Sequence, residues 1–165
     1  MKKLYSEIEI DAPAQRVWDL LTDFAAYPDW NPFIPRIAGA LETGATLEVR
    51  LEPPDGMAIT MRPTLLAVTP RQELRWLGKF LLSGLFDGEH RFAIEPLDNG
   101  RVRLVHEEQF RGILVPLFAS SLDRHTLRGF QAMNQALKAR AEATIAPMPT
   151  PVQERTLELV GAGTR

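Results

Sequence analysis

Two of the three histidines fall in segments that read as neighbouring strands, and histidine is the side chain that titrates near neutral pH. If residues 98–100 form a three-residue hairpin loop with the glycine in the left-handed conformation, His90 pairs with Glu108. The same register pairs Phe92 with His106 and keeps the apolar residues of both strands on one face, whereas a two-residue loop would place them on opposite faces. We therefore expect the His90 and Glu108 side chains to meet.

A carboxylate held against an imidazole in an apolar wall can orient a polar group of a ligand or transfer a proton. His90 and Glu108 are therefore the candidate catalytic residues. The alternative is a satisfied polar pair at the rim of a cavity, hydrogen-bonded to water and without a chemical role. The third histidine, His125, lies at the edge of a helical stripe, where it can flank a cavity or bond the sheet.

Other kinds of chemistry find little support in the sequence. The chain has no cysteine, which excludes disulfides, thiolate metal ligands and cysteine nucleophiles. A metal site formed by His90, His106 and Glu108 can be imagined, but no short ligand spacing supports it. No serine stands in a glycine-flanked nucleophile elbow, and no glycine-rich phosphate loop is present. We expect neither a metal nor a cofactor.

The bulk properties describe one globular domain of ordinary size. The chain has 165 residues, 45% of them hydrophobic and 24% charged. A net charge of -2 and a pI near 5.9 make nucleic acid an unlikely partner. The sequence shows no secretory signal and no run of the roughly 20 apolar residues that cross a bilayer, so we expect a cytoplasmic protein without a stable membrane anchor. A monomer and a homodimer both remain open.

The elements that must position these residues follow from the periodicity. Residues 4–10 alternate as a half-buried strand, and residues 13–23 have helical spacing. Residues 26–33 carry two prolines and three aromatic rings, which predicts a second short helical turn and a bend. From residue 36 to 112 the chain alternates between strands and turns, and we count about seven strands in one antiparallel sheet.

A long amphipathic helix is expected after Gly112. Apolar residues recur there at spacings of three and four from residue 118 to 137, which predicts a helix of roughly 25 residues with one face on the sheet. Prolines after residue 146 end it. We therefore expect a ligand-binding domain over residues 1–144 and a proline-rich, poorly ordered tail over residues 145–165.

Four segments of the chain have the composition of known family motifs. They are Ile10-Asp11-Ala12-Pro13 with Val17-Trp18, then Tyr27-Pro28-Asp29-Trp30-Asn31-Pro32, Leu74-Arg75-Trp76, and His106-Glu107-Glu108-Gln109-Phe110-Arg111-Gly112. With these segments and this order of elements, the sequence resembles the START-like superfamily, the helix-grip fold that includes polyketide cyclases and hydrophobic-ligand carriers. The resemblance implies an α+β fold in which a curved seven-stranded antiparallel sheet wraps around a long C-terminal helix, with two short helices after the first strand. It also implies an elongated cavity between the sheet and that helix.

Many large side chains point inward on this interpretation, and they can either fill a core or line a pocket. The apolar segments 80–86 and 113–117 can form the mouth of the cavity, dock on a membrane or a second subunit, or pack on each other. The candidate ligand-binding residues are Trp30, Phe33, Met61, Trp76, Phe80, Phe86, His90, Phe92, His106, Glu108, Phe110, Leu114, Phe118, Leu122 and Phe130.

Two functions are consistent with the sequence. The first is binding or transport of a small hydrophobic molecule that is lipid-like, aromatic or polyketide-like. The second is a cyclase or dehydratase in which the cavity folds a reactive chain while His90 and Glu108 handle protons. Binding is favoured, because no group of residues demands catalysis.

Overall fold

The computed structural model describes residues 1–79 and 82–143 of the chain. Phe80 and the expected tail at residues 145–165 lie outside the described residues. The described residues form eight strands, namely β1 (Lys2–Ile10), β2 (Arg36–Ala38), β3 (Glu48–Leu51), β4 (Ile59–Met61), β5 (Thr64–Thr69), β6 (Glu73–Lys79), β7 (Asp87–Pro96) and β8 (Val102–Arg111).

The strands form two antiparallel sheets, which corrects the expectation of seven strands in one sheet. The larger sheet has the order β1-β8-β7-β6-β5 and the smaller one the order β2-β3-β4. Pro63 explains the extra strand, because a residue without an N–H interrupts what would otherwise be a single strand over residues 59–69. A bridge between Thr46 and Thr64 joins the two sheets.

The register of the β7–β8 hairpin is the one that the sequence predicts. His90 pairs with Glu108, and Phe92 pairs with His106. Gly100 has the expected positive φ of 74°, and Asn99 before it has a φ of 61°. This turn therefore places both histidines on the face of the sheet that is buried, with 2% of His90 and 0% of His106 exposed.

The helices agree with the predicted order and add one irregularity. Helix α1 (Ala14–Thr22) is followed by a 3₁₀ turn (Phe24–Asp29), as the proline-rich segment indicates. The C-terminal helical segment consists of α2 (Val115–Ser121), a π-helical turn (Leu122–Thr126) and α3 (Leu127–Glu142). The apolar spacing predicted the long helical segment but not the π-helical turn. This turn contains one extra residue, which rotates the side chains of α2 about the helix axis relative to those of α3.

The core lies between the larger sheet and the helical segment. Phe130, Met133 and Leu137 of α3 are fully buried there, and α3 runs beside β1. Burial of these side chains stabilises the fold by roughly 1.5–3 kcal/mol each. Within residues 1–79 and 82–143, no helix is long and apolar enough to span a membrane.

Candidate functional site

A cavity of about 310 Å³ lies between the larger sheet, the β3–β4 hairpin and the helical segment around the π-helical turn. Most of the side chains around it are apolar. Its lining consists of Phe33, Leu51, Pro53, Gly56, Met57, Ile59, Met61, Gly78, Lys79, Phe86, Gly88, Glu108, Phe110, Phe118, Ser121, Leu122, His125 and Thr126.

Phe33 reaches the cavity because the chain around it is fixed at two points. The side-chain oxygen of Asn31 accepts hydrogen bonds from the backbone N–H groups of Phe33 at 3.0 Å and Ile34 at 2.8 Å. On the other side, the ring lies directly against the Cα atom of Gly129 in α3, where any Cβ atom would overlap it. The turn and the helical glycine together hold this ring between the helix and the sheet.

Two glycines that face each other across β6 and β7 make room for the polar end of the cavity. Gly78 pairs with Gly88 in the register of these strands. A Cβ atom on Gly88 would lie 2.5 Å from Oε1 of Glu108, and one on Gly78 would overlap the end of Met61. Without side chains on these glycines, Glu108 and Met61 can lie flat over the sheet.

Glu108 connects the cavity to a buried polar cluster. Its side chain lines the cavity, although only 6% of the residue is exposed. Oε2 lies 3.2 Å from Nδ1 of His90, which is the contact expected from the strand register. Glu108 is the one acidic residue that lines the cavity among the described residues.

The cluster continues from His90 as a chain of hydrogen bonds into the core. Nε2 of His90 lies 2.8 Å from Nε2 of His106, and Nδ1 of His106 lies 2.9 Å from Oδ1 of Asn134. Nδ2 of Asn134 donates to Oγ of Ser6 at 3.2 Å. These hydrogen bonds therefore run from the cavity wall on β8 to His90 on β7, return to β8 at His106, and continue to α3 and β1.

Aromatic rings enclose both imidazoles of this chain. Trp76 stacks on His90 with 4.8 Å between ring centroids, and Phe130 stacks on His106 at 3.8 Å. Burial lowers the pKa of His106 well below its usual value of 6.5, and the neighbouring His90 lowers it further, while the hydrogen bond with Asn134 raises it. The His106 ring is therefore neutral at physiological pH.

The β3–β4 hairpin is tied to the helical segment across the cavity. The ring N–H at Nδ1 of His125 donates to the carbonyl oxygen of Pro54 at 3.0 Å. Arg128 pairs with Asp55 at 2.9 Å. His125 thus both lines the cavity and bonds the smaller sheet's hairpin, which combines the two positions that the sequence left open.

The structure brings about half of the candidate ligand-binding residues to the cavity: Phe33, Met61, Phe86, Glu108, Phe110, Phe118 and Leu122 line it. His90 and His106 stand behind Glu108, and three buried rings pack around them, those of Trp76, Phe92 and Phe130. Trp30 packs on Tyr27 and Leu114 is half-buried, both away from the lining, while Phe80 lies outside the described residues.

Sequence reasoning missed several residues that line the cavity, among them Lys79 and the paired glycines of β6 and β7. The β3–β4 hairpin contributes Met57 in its loop and Ile59 at the start of β4, which the alternating pattern treats as ordinary turn and strand positions. Ser121 and Thr126 add hydroxyl groups beside the π-helical turn. A π-helical turn leaves no clear trace in the spacing of apolar residues, so the sequence offered no signal for this pair.

The apolar residues 82–86 contact the apolar segment 113–117 at one end of the molecule. The N–H of Leu114 donates to the carbonyl of Leu85 at 3.0 Å, and Phe86 packs edge-on against Phe118 with their centroids 5.6 Å apart. Three side chains next to this contact are largely exposed, namely Leu82, Ile113 and Leu117.

In the part of the chain that the structure describes, no group of three acidic, histidine or cysteine side chains is arranged to hold a metal ion.

Solved structures with the same fold come from several bacteria. The chain aligns with the di-domain ARO/CYC protein BexL of the BE-7585A biosynthetic pathway at 15% identity and a TM-score of 0.68, covering 87% of this chain and 50% of BexL. A START superfamily protein from Mycobacterium smegmatis aligns at 22% identity and a TM-score of 0.61, covering 85% and 97% of the two chains. TTHA0849 from Thermus thermophilus aligns at 14% identity and a TM-score of 0.68, covering 88% and 100%.

These likenesses confirm the α+β helix-grip fold, and the chain spans about half the length of the two di-domain ARO/CYC proteins that it matches. No curated protein sequence matches it significantly. A family model described as "Polyketide cyclase / dehydrase and lipid transport" matches residues 1–142. The chain therefore belongs to the polyketide cyclase / dehydrase and lipid transport family.

Proposed function

We propose that this protein binds a small hydrophobic molecule, lipid-like, aromatic or polyketide-like, in the cavity beside the π-helical turn, and carries or holds it there. The observation that supports this proposal is an apolar cavity of about 310 Å³ with a carboxylate at its inner wall. Ligand sites in proteins are usually concave and largely apolar, with a few polar groups that orient the ligand. Residues 1–144 would form the binding domain.

The size of the cavity limits the ligand to a compact molecule. Protein pockets for small ligands span roughly 300–1,000 Å³, so this one lies at the lower end of that range. The flat rings of Phe33 and Phe118 line it, which favours aromatic or conjugated guests over long, fully extended chains.

A titration with 2-naphthol, followed by its fluorescence, tests this proposal. The Met61→Trp substitution should fill the cavity and abolish binding, because Met61 lies over Gly78 in the lining. Leu66→Trp on β5 is the matched control, since Leu66 is exposed and does not belong to the lining. Equal affinity in both variants would show that the compound binds elsewhere.

Catalysis by the same cavity is the second candidate, in which Glu108 and His90 move a proton on a polyketide-like or aromatic substrate. The chain of hydrogen bonds behind Glu108 supports it, because a structural pair does not need to reach the cavity. The ARO/CYC names of the di-domain proteins also favour it. Conversion of a candidate substrate, lost in both Glu108→Gln and His90→Ala, would support an enzyme; release of the same molecule unaltered would support a carrier.

A further inference from the structure

The hydrogen bonds of the polar cluster behind the cavity have a direction, and that direction decides where the proton shared by His90 and Glu108 lies. We propose that Asn134 is a positioning residue that sets this direction and keeps the shared proton between His90 and Oε2 of Glu108. Oε1 is then an acceptor whether Glu108 is ionised or protonated, and it selects ligands with a hydroxyl group at their buried end. This inference rests on the proposed ligand-binding function and assigns a chemical class to the ligand.

The side-chain amide of Asn134 bonds both Ser6 and His106. Its Nδ2 donates to Oγ of Ser6 at 3.2 Å, which turns Oδ1 toward Nδ1 of His106 at 2.9 Å. An amide oxygen can only accept a hydrogen bond, so Nδ1 of His106 must carry the hydrogen. Because the buried His106 ring is neutral, its other nitrogen, Nε2, has a lone pair.

The two histidines contact each other through their Nε2 atoms. Nε2 of His90 lies 2.8 Å from Nε2 of His106, and two lone pairs cannot form a hydrogen bond. His90 must therefore donate from Nε2. Its Nδ1 then faces Oε2 of Glu108 at 3.2 Å, and that contact needs one proton, held either by Glu108 as a carboxylic acid or by His90 as an imidazolium.

The position of the proton between Glu108 and His90 determines what the other carboxylate oxygen of Glu108 can do. In both protonation states the shared proton lies between Oε2 and His90, which leaves Oε1 as an acceptor. Oε1 lies beside Gly88, and both residues line the cavity. A ligand hydroxyl can donate to this oxygen, whereas a carbonyl there would bring two acceptors together.

The direction of the chain can be measured directly in the ligand-free protein. Long-range ¹H–¹⁵N correlation spectra distinguish protonated from unprotonated ring nitrogens. We expect a hydrogen on Nδ1 of His106 and on Nε2 of His90. A hydrogen on Nε2 of His106 would overturn the proposal.

Two substitutions of Asn134 separate positioning from simple packing. Asn134→Asp supplies only acceptor oxygens and should keep the His106 tautomer unchanged. Asn134→Leu fills a similar volume without a polar group, so the His106 spectrum should show loss of the single tautomer. The same spectrum in wild type and Asn134→Leu would contradict a role for Asn134.

Binding of matched naphthalenes tests the consequence for the ligand. Wild type should bind 2-naphthol about tenfold more tightly than 2-methylnaphthalene or 2-naphthaldehyde, the usual effect of one buried hydrogen bond. In Glu108→Gln, the new amide should donate to the lone pair of His90 and leave its oxygen in the cavity, so the preference for the hydroxyl should persist. Glu108→Leu should bind 2-naphthol and 2-methylnaphthalene equally.

The possible failures of this experiment have different meanings. A Glu108→Gln variant that prefers 2-naphthaldehyde would mean that the chain runs in the opposite direction, which overturns the inference. Equal binding of the hydroxyl and methyl compounds to wild type would also overturn it while leaving the proposed function intact. If none of the three compounds binds, the proposed function fails, and the spectra still decide the direction of the chain.

Discussion

Glu108 is held by contacts that differ in kind on its two sides, an imidazole at Oε2 and the bare Cα of Gly88 at Oε1. A change on either side should therefore affect the cavity differently from a change elsewhere in its lining. His90, which is 2% exposed, cannot exchange its partner for water.

Adding a single methyl group to each of the paired glycines should separate the polar end of the cavity from its apolar wall. Gly88→Ala places a Cβ atom 2.5 Å from Oε1 of Glu108, which its bond to His90 holds in place, so we expect about tenfold weaker 2-naphthol binding. Gly78→Ala meets the flexible end of Met61, which can move aside at little cost. Fluorescence titration of both variants checks this, and equal loss in the two would contradict it.

The buried His106 should make stability depend on pH. Because its pKa is lowered in the folded state, the unfolded chain binds more protons as the pH falls below 6.5, and the free energy of unfolding should decrease by at most about 1.4 kcal/mol per pH unit. His106→Gln cannot be protonated and should remove this slope. Urea unfolding between pH 6.5 and pH 5 measures it.

Glu107 contributes to pH dependence only in a lower range. Although burial raises the pKa of Glu107, its contacts with Lys3 and Arg91 lower it below the usual 4.5 overall. Stability from this group is therefore present above pH 4.5 and is lost as the pH falls further. An unchanged slope between pH 6.5 and 5 in His106→Gln would contradict the assignment to His106.

The pairing of His90 with Glu108 could be predicted because it follows from strand parity and one turn. Asn134 could not, since it reaches His106 from a helix 28 positions along the chain, and the rotation of that helix over the sheet is decided by packing. For the same reason the sequence could not say that Trp76 and Phe92 would form core around His90 rather than line the cavity.

Helix α3 and the loop that follows the 3₁₀ turn meet where Gly129 contacts the ring of Phe33. Phe33 also packs edge-on against Phe130, with 5.6 Å between ring centroids. The helix thus comes close enough to the preceding loop to seal one side of the cavity. The absence of a Cβ atom at position 129 permits this approach.

Gly129→Ala should therefore destabilise the protein although alanine favours helices. The gain in helix propensity is about 1 kcal/mol, and overpacking against the Phe33 ring costs about 1–3 kcal/mol, so we expect a net loss. Gln135→Ala on the exposed face of α3 should change stability by less than about 0.5 kcal/mol. Urea unfolding compares the two, and a Gly129→Ala variant more stable than wild type would refute the tight contact.

The elements were predictable where one period dominated and not where it was interrupted. Alternation predicted β1, β6, β7 and β8, and helical spacing predicted the long C-terminal segment. Alternation also indicates the β3–β4 hairpin, but the sequence placed it in the same sheet as the other strands, because packing rather than pattern decides which sheet such short strands join. The π-helical turn was missed because it only shifts the spacing of the apolar residues by one position.

For the molecule as a whole, the larger sheet has one face on the core and another covered with charges. On the outer face, Glu107 pairs with Lys3 at 2.6 Å and with Arg91 at 3.3 Å, and Arg91 also reaches Glu73 at 3.4 Å. Glu107 is buried beneath its partners, while Lys3 and Arg91 reach water, so these pairs both satisfy a covered carboxylate and keep the outer face of the sheet hydrated.

Filling the cavity should stabilise the whole molecule. A ligand at 100 times its dissociation constant adds about 2.7 kcal/mol to the free energy of unfolding. For a chain of 165 residues this corresponds to a rise in Tm of roughly 5–10 °C. Thermal unfolding with saturating 2-naphthol should show this shift in wild type and in Leu66→Trp, and an equal shift in Met61→Trp would place the ligand outside the cavity.

A crystal structure of the protein with 2-naphthol tests the central claim most directly. We predict the naphthalene ring between Phe33 and Phe118 in the cavity, with its hydroxyl group within hydrogen-bonding distance of Oε1 of Glu108. A cavity closed by the protein's own side chains, with the compound bound elsewhere or absent, would contradict the account.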